Sequence, residues 1–250
     1  MQDAVRPGAR PGTTAVSIMD FAGKRIVVTG GTGALGGAVV GALLGGGARC
    51  TVSYVHEAEA ARFVYRDDPN VSLVAVSDLA DEAVVGELYS GLAPWASVHI
   101  AGGFATGKVA KTGKAALMAQ LNTNLISCFL CCSAAVNAMR MAGQGGRIVN
   151  VAARAALEWR AGAGMAAYTA AKAGVAALTV ALAEEVAKDG ILVNAVAPSI
   201  MDTPANRAAM PKADFDAWPK VEEVAATIVF LASPANKVTR GAVVPVYGKS

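Results

Sequence analysis

Tyr168 and Lys172 are the side chains whose types and spacing point most directly to chemistry. They stand four residues apart in an alanine-rich run that is typical of an α-helix, so they share one helix face. A hydride delivered to a C=O or C=N bond leaves charge on the heteroatom, and a nearby acid has to supply a proton. We expect the lysine ammonium, together with the oxidised form of the hydride donor, to favour the ionised phenol and to bring its pKa towards neutrality. The pair therefore predicts proton transfer during a reduction.

A glycine-rich segment follows the apolar run Ile26–Thr29 and has the sequence Gly30-Gly31-Thr32-Gly33-Ala34-Leu35-Gly36-Gly37. Small residues let the backbone approach a pyrophosphate, and the N–H groups at the start of the following helix favour negative charge. A merely tight turn is the alternative. We predict a dinucleotide-binding loop, with contacts from Gly30, Thr32, Gly33, Leu35 and Gly36.

Short β-branched runs alternate with longer alanine-rich runs from Lys24 onward, as parallel strands joined by crossover helices do. The predicted strands are Arg25–Thr29, Cys50–Val55, Ser72–Val76, Ser97–Ala101, Arg147–Val151, Leu192–Val196 and Ala242–Val246. The longest predicted helices are Leu35–Leu44, Lys114–Met141, Met165–Lys188 and Glu222–Leu231. We expect one α/β domain over residues 21–250 with a doubly wound, seven-stranded parallel sheet. Residues 199–219 are long for a structureless connection, and we predict that they form a substrate lid.

Bulk composition limits the classes of function. A net charge of +3 over 250 residues, without a dense basic stripe, argues against a nucleic-acid partner. Residues 1–20 lack a continuous apolar core and are expected to form a flexible extension, not a secretory signal. The alanine-rich stretch Val175–Val186 is interrupted by Glu184 and Glu185, which favours a packed helix over a membrane span. We expect a soluble cytoplasmic protein with a small-molecule substrate.

The four cysteines are Cys50, Cys128, Cys131 and Cys132, and no histidine stands near the last three in the sequence. Buried cysteines behave as small apolar residues in a reduced cytoplasmic protein. We therefore predict no metal site and assign the cysteines no role.

Three motifs together resemble the short-chain dehydrogenase/reductase family. Thr29-Gly30-x-x-x-Ala34-x-Gly36 resembles its T-G-x-x-x-G-x-G loop, Tyr168-x-x-x-Lys172 its catalytic pair, and Asn194-Ala-Val-Ala-Pro198 its N-A-V-x-P segment. The resemblance covers roughly residues 24–248. It implies a Rossmann fold, an NAD(P)-dependent oxidoreductase, contact of Lys172 with the nicotinamide ribose, and a homo-oligomer, expected to be a tetramer.

The resemblance also implies roles for single residues. Asn124 matches the asparagine that holds a proton-relaying water, although a purely structural role in a distorted helix is the alternative. Asp78 resembles the adenine-binding aspartate, or it caps a helix that starts at Leu79. Thr203 resembles the residue that steadies the nicotinamide carboxamide, or it is a turn or cap residue. Further cofactor contacts are expected from Ala101, Gly102, Pro198 and Ile200, whereas His99 is expected to be a core histidine.

The chain departs from the family at the serine that binds the reacting oxygen, because Ala153 stands at that position. A similar gap occurs in the dihydropteridine reductase branch, which the segment from Asp202 to Phe215 also resembles. We therefore expect hydride transfer to an activated C=N or C=O substrate, with a quinonoid dihydropterin as the named candidate. An ordinary ketone or 3-oxoacyl reductase and a catalytically silent cofactor-binding scaffold are the alternatives.

The second strand bears on the choice of cofactor. It ends Ser53-Tyr54-Val55-His56, with no acidic residue to bind the adenosine ribose of NAD. The sequence therefore slightly favours NADP(H) over NAD(H). His56 is either a partner for the 2′-phosphate or an ordinary surface residue, and no arginine is evident at the strand end.

Overall fold

The computed structural model describes residues 19–250 and contains one sheet of seven parallel strands. The strands are β1 Arg25–Thr29, β2 Arg49–Tyr54, β3 Val71–Ala75, β4 Ala96–His99, β5 Gly146–Val151, β6 Ile191–Pro198 and β7 Val243–Val246. Their order in the sheet is β3-β2-β1-β4-β5-β6-β7. Successive strands are added to one side of β1 up to β3, and to the other side from β4 onward, so the direction of winding changes between β1 and β4. This confirms the predicted doubly wound, single-domain fold. All but the last two residues of the predicted N-terminal extension lie outside the described residues.

Helices cover both faces of the sheet. They are α1 Ala34–Gly45, α2 Glu57–Arg62, α3 Glu82–Tyr89, α4 Lys114–Leu121, α5 Ser127–Ala142, α6 Arg154–Leu157, α7 Ala166–Glu185, α8 Pro204–Ala209 and α9 Val221–Ala232. One core contains residues of α1 and α9, and the other contains residues of α3, α5 and α7. Successive side chains of a strand point to opposite faces and so belong to different cores, as those of Ile148 and Val149 in β5 do. The central strands β1, β4, β5 and β6 are buried on both faces, whereas the edge strands β3 and β7 are partly exposed.

The predicted helix Lys114–Met141 contains a π-helical turn at Asn122–Ile126, between α4 and α5. Polar side chains compete for its backbone carbonyls. Asn124 Nδ2 donates to the oxygen of Gln120 at 3.1 Å, and Ser127 Oγ donates to the oxygen of Thr123 at 2.7 Å. Side-chain bonds of this kind distort a regular helix.

The segment predicted as a lid, residues 199–219, is less irregular than its prolines suggest. Pro204 begins α8, where its missing N–H is not needed, and Thr203 Oγ1 accepts a hydrogen bond from Asn206 N at 3.2 Å. Arg207 binds Asp202 through two hydrogen bonds, one of them 2.8 Å from Nη2 to Oδ2. Its role as a lid stays a prediction.

Two helical stretches, Lys114–Ala142 and Ala166–Glu185, have the length and apolar composition to cross a membrane. In this fold both flank the sheet, and the apolar residues on their inner faces belong to one of its two cores. Length and composition alone do not distinguish a membrane span from such a core helix.

Candidate active site

A cavity of about 240 Å³ opens at the carboxyl ends of the strands, beside the point where the strand order reverses. Clefts in open α/β sheets bind ligands at this switch point. Among the residues predicted for the site, those that line the cavity are Leu35, Gly102, Asn124, Tyr168, Lys172 and Pro198. Residues from far apart in the sequence therefore meet at one edge of the sheet.

Tyr168 lies near the start of α7, with Phe104 against its ring edge to face at 5.0 Å between centroids. Burial raises the pKa of Tyr168 to about 12, because loss of water penalises the phenolate. The expected shift towards neutrality is thus not found in the protein alone. The phenol holds its proton at neutral pH, as a proton donor must.

Lys172 lies one turn further along α7 and is almost fully buried. Its Nζ donates to the backbone oxygen of Val151, the last residue of β5, at 2.8 Å. Burial lowers the pKa of Lys172 to about 8, and the charge of Cys128 opposes that shift. The side chain is therefore mostly protonated at neutral pH and sits close to its titration point.

Asn124 is buried within the π-helical turn and braces the loop after β4. Its Nδ2 donates to the oxygen of Gly103 at 2.9 Å, and its Oδ1 accepts from Gly103 N at 3.2 Å. A Cβ added to Gly102 would lie 2.8 Å from Asn124 Oδ1 and 3.3 Å from Lys172 Nζ. Gly102 thus allows the two polar groups to approach the same stretch of backbone.

The glycine-rich loop has the close backbone packing that a pyrophosphate site needs. Gly30 has a φ of 67°, and a Cβ there would lie 2.8 Å from Cα of Ala101. A Cβ on Gly36 would overlap the backbone oxygen of Gly30. Within residues 19–250, no side chain caps the first turn of the twelve-residue α1, which starts after Gly33. These features fit a dinucleotide held by the loop and the helix N-terminus.

Charged side chains that the sequence analysis missed lie beside this loop. Thr32 Oγ1 donates to Glu59 Oε2 at 3.2 Å, and Arg62 lines a shallow cavity together with Thr32 and Gly33. Both charged residues belong to α2, past the end of β2. No sequence motif marks their distance from β2, so their position beside the loop becomes apparent only from where α2 lies in the fold.

Besides Ala101 and most residues of the glycine-rich loop, the predicted cofactor residues outside the cavity lining are Asp78, Thr203 and Ile200. Asp78 is exposed, and its Oδ1 accepts from Ala80 N at 2.8 Å, so it closes a turn. The alternative that it caps a helix is wrong, because Asp81 caps α3. Thr203 caps α8, as the alternative role proposed, and Ile200 is half exposed.

Ala153 lines the cavity and is buried, at the position where the resemblance expected a serine. Among the cavity side chains, Tyr168 and Ser199 carry hydroxyl groups. Ser199 Oγ lies 2.9 Å from the oxygen of Tyr247 and 2.7 Å from Ser250 Oγ, so it is already hydrogen-bonded. Tyr168 is thus the hydroxyl available for proton transfer.

A family model described as short chain dehydrogenase matches residues 24–214. The chain is 31% identical to 2,3-dihydroxy-2,3-dihydro-p-cumate dehydrogenase of Pseudomonas putida, over 95% of this chain and 98% of the relative. It is 34% identical to galactitol 2-dehydrogenase of Rhizobium johnstonii, over 90% and 93% of the two chains. The structure of ElxO with NADP bound has a similar fold, with a TM-score of 0.81 at 24% identity and coverage of 90% and 97%.

Proposed function

The chain belongs to the short-chain dehydrogenase family, and on that premise we propose that Tyr168 is the acid and base of an NAD(P)-dependent oxidoreductase acting on an activated C=N or C=O group. One observation carries the proposal. Tyr168, Lys172 and Asn124 line a single cavity at the carboxyl ends of the strands, next to the glycine-rich loop. A nicotinamide cofactor would supply or accept the hydride there.

In the reducing direction, Tyr168 donates the proton of its hydroxyl to the substrate heteroatom. Its raised pKa keeps that proton available at neutral pH. The ammonium of Lys172, one turn away, stabilises the phenolate that remains. Asn124 holds the Gly103 backbone through two hydrogen bonds and so fixes the cavity wall opposite α7.

We propose that the other residues to which the family resemblance points bind the cofactor. Gly30, Thr32, Gly33, Leu35 and Gly36 would hold the pyrophosphate, while Lys172 would hold the nicotinamide ribose. Lys172 uses one of its three N–H groups on Val151 and keeps two for other partners. Asp78, Ala101, Gly102, Pro198, Ile200 and Thr203 are proposed to complete the contacts.

The absence of a hydroxyl at Ala153 favours a substrate whose electrophilic centre is already activated. Loss of one oxyanion donor costs about 10²–10³ in rate, which an unactivated ketone would experience in full. A quinonoid imine spreads the developing charge and regains aromatic conjugation, so it depends less on that donor. A quinonoid dihydropterin therefore remains the named candidate substrate.

An ordinary carbonyl reductase or alcohol dehydrogenase is the second candidate. The names of the relatives favour it, because one is a galactitol dehydrogenase and the other a dihydrodiol dehydrogenase. In that case a backbone N–H or a water would replace the missing serine. The presence of both Tyr168 and Lys172 in the cavity argues against a catalytically silent scaffold.

Two charged residues of α2 bear on the proposed preference for NADP(H), one in its favour and one against it. Arg62 supplies the positive charge that a 2′-phosphate requires, whereas Glu59 would repel it. His56 is exposed and directly precedes α2. We propose NADP(H) because the guanidinium is a strong phosphate donor and Glu59 is engaged by Thr32.

We also propose a cytoplasmic homotetramer. Exposed Trp159 and the small residues Ala166, Ala170 and Ala173 line an open depression along α7, and small residues permit close helix packing between subunits. The four cysteines are free and buried, which suits a reducing compartment. Light scattering that gave only monomer at micromolar concentrations would contradict the assembly.

The decisive experiment is a turnover screen with both cofactors. The panel contains a quinonoid dihydropterin, a cyclic imine, a quinone, a simple ketone, a 3-oxoacyl thioester, a polyol and a ring dihydrodiol. The proposal expects kcat/KM to be highest for the conjugated electrophiles. Highest values for the ketone, thioester or polyol would support the second candidate instead.

A further inference from the structure

A buried cluster of metal-ligating side chains lies between β4 and α5, in the core beneath the candidate active site. His99 ends β4, while Cys128 and Cys132 stand one turn apart on α5. One ring nitrogen of His99 and the two sulfur atoms all lie within 4.8 Å of one another, and all three side chains are buried. The sulfur of Cys132 is 3.5 Å from His99 Nδ1.

Asn150 on β5 brings an oxygen to the same point. Thr179 Oγ1 donates to the oxygen of Val175 at 2.8 Å, so it accepts from Asn150 Nδ2 at 2.9 Å. This bond turns Asn150 Oδ1 towards the cluster, 2.8 Å from His99 Nδ1 and 3.4 Å from Cys132 Sγ. The hydrogen bonds outside the cluster thus fix which Asn150 atom faces it.

The other ring nitrogen of His99 has its own partners. Its Nε2 lies 2.8 Å from Ser97 Oγ and 3.3 Å from the Tyr89 hydroxyl. Asn150 Oδ1 can only accept, so its 2.8 Å contact is a hydrogen bond donated by His99 Nδ1–H, and Nε2 accepts from a neighbouring hydroxyl. A cation at Nδ1 would take the place of that proton, which moves to Nε2, where Ser97 Oγ can accept it; histidine ligands of metals are held by such a donor bond from the second ring nitrogen.

We propose that His99 Nδ1, Cys128 Sγ, Cys132 Sγ and Asn150 Oδ1 form a four-coordinate site for Zn²⁺. At tetrahedral zinc two sulfur ligands lie about 3.8 Å apart, and a sulfur and a nitrogen or oxygen ligand about 3.5 Å apart. The separations of 3.4 to 3.5 Å between Cys132 and its two partners match the second value. His99 Nδ1 and Asn150 Oδ1 are 2.8 Å apart and would separate to about 3.3 Å on binding. Small side-chain rotations would bring Cys128 within this range of separations.

Charge and softness favour zinc over other cations. Two thiolates and one Zn²⁺ sum to zero charge, which a dry core tolerates, whereas a hard cation such as Mg²⁺ prefers oxygen ligands. Binding would release both thiol protons.

The sequence analysis assigned these cysteines no role because it sought a histidine nearby along the chain. His99 is 29 residues before Cys128 and reaches it only because β4 and α5 pack together. Cys131 serves as a matched comparison. It is buried on the same helix, yet it is not one of the clustered ligands.

The test uses the full-length protein stripped with a chelator and titrated with Co²⁺, a spectroscopic substitute for Zn²⁺. We expect one Co²⁺ per chain, thiolate-to-cobalt charge-transfer absorption, and displacement by one Zn²⁺. Cys128→Ala and Cys132→Ala should each lose more than about 100-fold in Co²⁺ affinity, and Ser97→Ala about 10- to 100-fold. Cys131→Ala should bind as the unmodified chain does.

Two results would overturn the site. One is the absence of thiolate-to-cobalt absorption in the unmodified chain, which requires no variant to fold. The other is unchanged affinity in a Cys128→Ala variant whose circular dichroism is native. Neither measurement involves NAD(P)H or substrate, so the proposed oxidoreductase function stands or fails separately.

Discussion

Lys172 Nζ donates to the backbone oxygen of Val151 at 2.8 Å, and this bond joins α7 to the end of β5. The bond holds the ammonium in place below the cavity, where little water reaches it. Loss of hydration outweighs the attraction of nearby negative charge, so the pKa of Lys172 falls to about 8. The lysine is thus a fixed charge that can be removed within an accessible pH range.

This pKa predicts a basic limb in the rate of reduction. Lys172 is charged below about pH 8 and loses its charge as the pH rises through that value. We expect kcat/KM, which reports the free enzyme, to fall above about pH 8, by about tenfold per pH unit once the lysine is mostly neutral. Steady-state rates from pH 6 to about 10 measure this.

Lys172→Arg provides the control, because a guanidinium stays protonated throughout that range. Any residual activity of this variant should lack the limb near pH 8. A limb at the same pH in both proteins would assign it to another group.

Tyr168→Phe should remove most turnover and leave cofactor affinity within about twofold. The change deletes only the proton-donating hydroxyl and keeps the ring that packs against Phe104. General acid catalysis contributes about 10²–10⁴ in rate, and we expect kcat to fall by that factor. Stopped-flow absorbance gives kcat, and fluorescence titration gives the NAD(P)H affinity. Retention of more than about a tenth of kcat would exclude Tyr168 as the acid.

The tight loop before α1 predicts opposite outcomes for two neighbouring glycines. An added Cβ at Gly36 would overlap the oxygen of Gly30 and approach Cα of Gly31 to 2.5 Å. At Gly37 its nearest neighbour outside the helix backbone would be Phe63 Cε2, at 4.0 Å. Overpacking costs about 1–3 kcal/mol, so Gly36→Ala should weaken NAD(P)H binding by about tenfold or more. Gly37→Ala should bind normally and unfold at equal or higher temperature. Equal affinities in calorimetry would refute the tight-loop argument.

Arg62 and Glu59 predict opposite changes in cofactor preference. Removing the guanidinium in Arg62→Ala should raise KM for NADPH by about tenfold and leave KM for NADH nearly unchanged. Glu59→Gln should lower KM for NADPH, because it removes a negative charge beside the same cavity. The ratio of the two kcat/KM values is the measurement. Parallel changes for both cofactors would show that neither residue contacts the 2′ position.

Ala153→Ser should improve the reduction of simple ketones. The side chain of residue 153 lines the cavity, so a hydroxyl there gains access to the reacting oxygen, and one donor is worth about 10²–10³ in rate. Residue 153 also precedes α6, and the new hydroxyl can cap that helix instead. A gain of at least about tenfold in ketone kcat/KM is therefore expected, with Ala155→Ser, outside the cavity lining, as control. No gain, or an equal gain in the control, would separate Ala153 from substrate choice.

Much of the fold follows from local pattern. The strands begin and end within two residues of the predicted positions, because short β-branched runs separated by longer alanine-rich runs mark them along the chain. Tyr168 and Lys172 meet because a helix brings together residues four apart. Such relationships depend on the geometry of a single element, which sequence spacing encodes.

Relationships between elements were harder to predict. Arg62 reaches the glycine-rich loop through the path of α2, and His99 meets Cys128 and Cys132 through the packing of α5 on β4. Neither pair has a characteristic spacing along the chain. The burial that raises the pKa of Tyr168 also depends on Phe104 and the surrounding fold, which the spacing between Tyr168 and Lys172 does not encode.

The π-helical turn at Asn122–Ile126 sets the rotational phase of everything after it. A turn of this kind contains one more residue than an α-helical turn, and one residue corresponds to a rotation of about 100°. α4 packs against α7, while α5 packs against α3 and the sheet. A straight α-helix of the same length would rotate α5 by about 100° relative to α4 and keep only one of these two registers. Deletion of Thr123 would therefore let a straight helix keep both registers, at the expense of the distortion that holds Asn124 against Gly103.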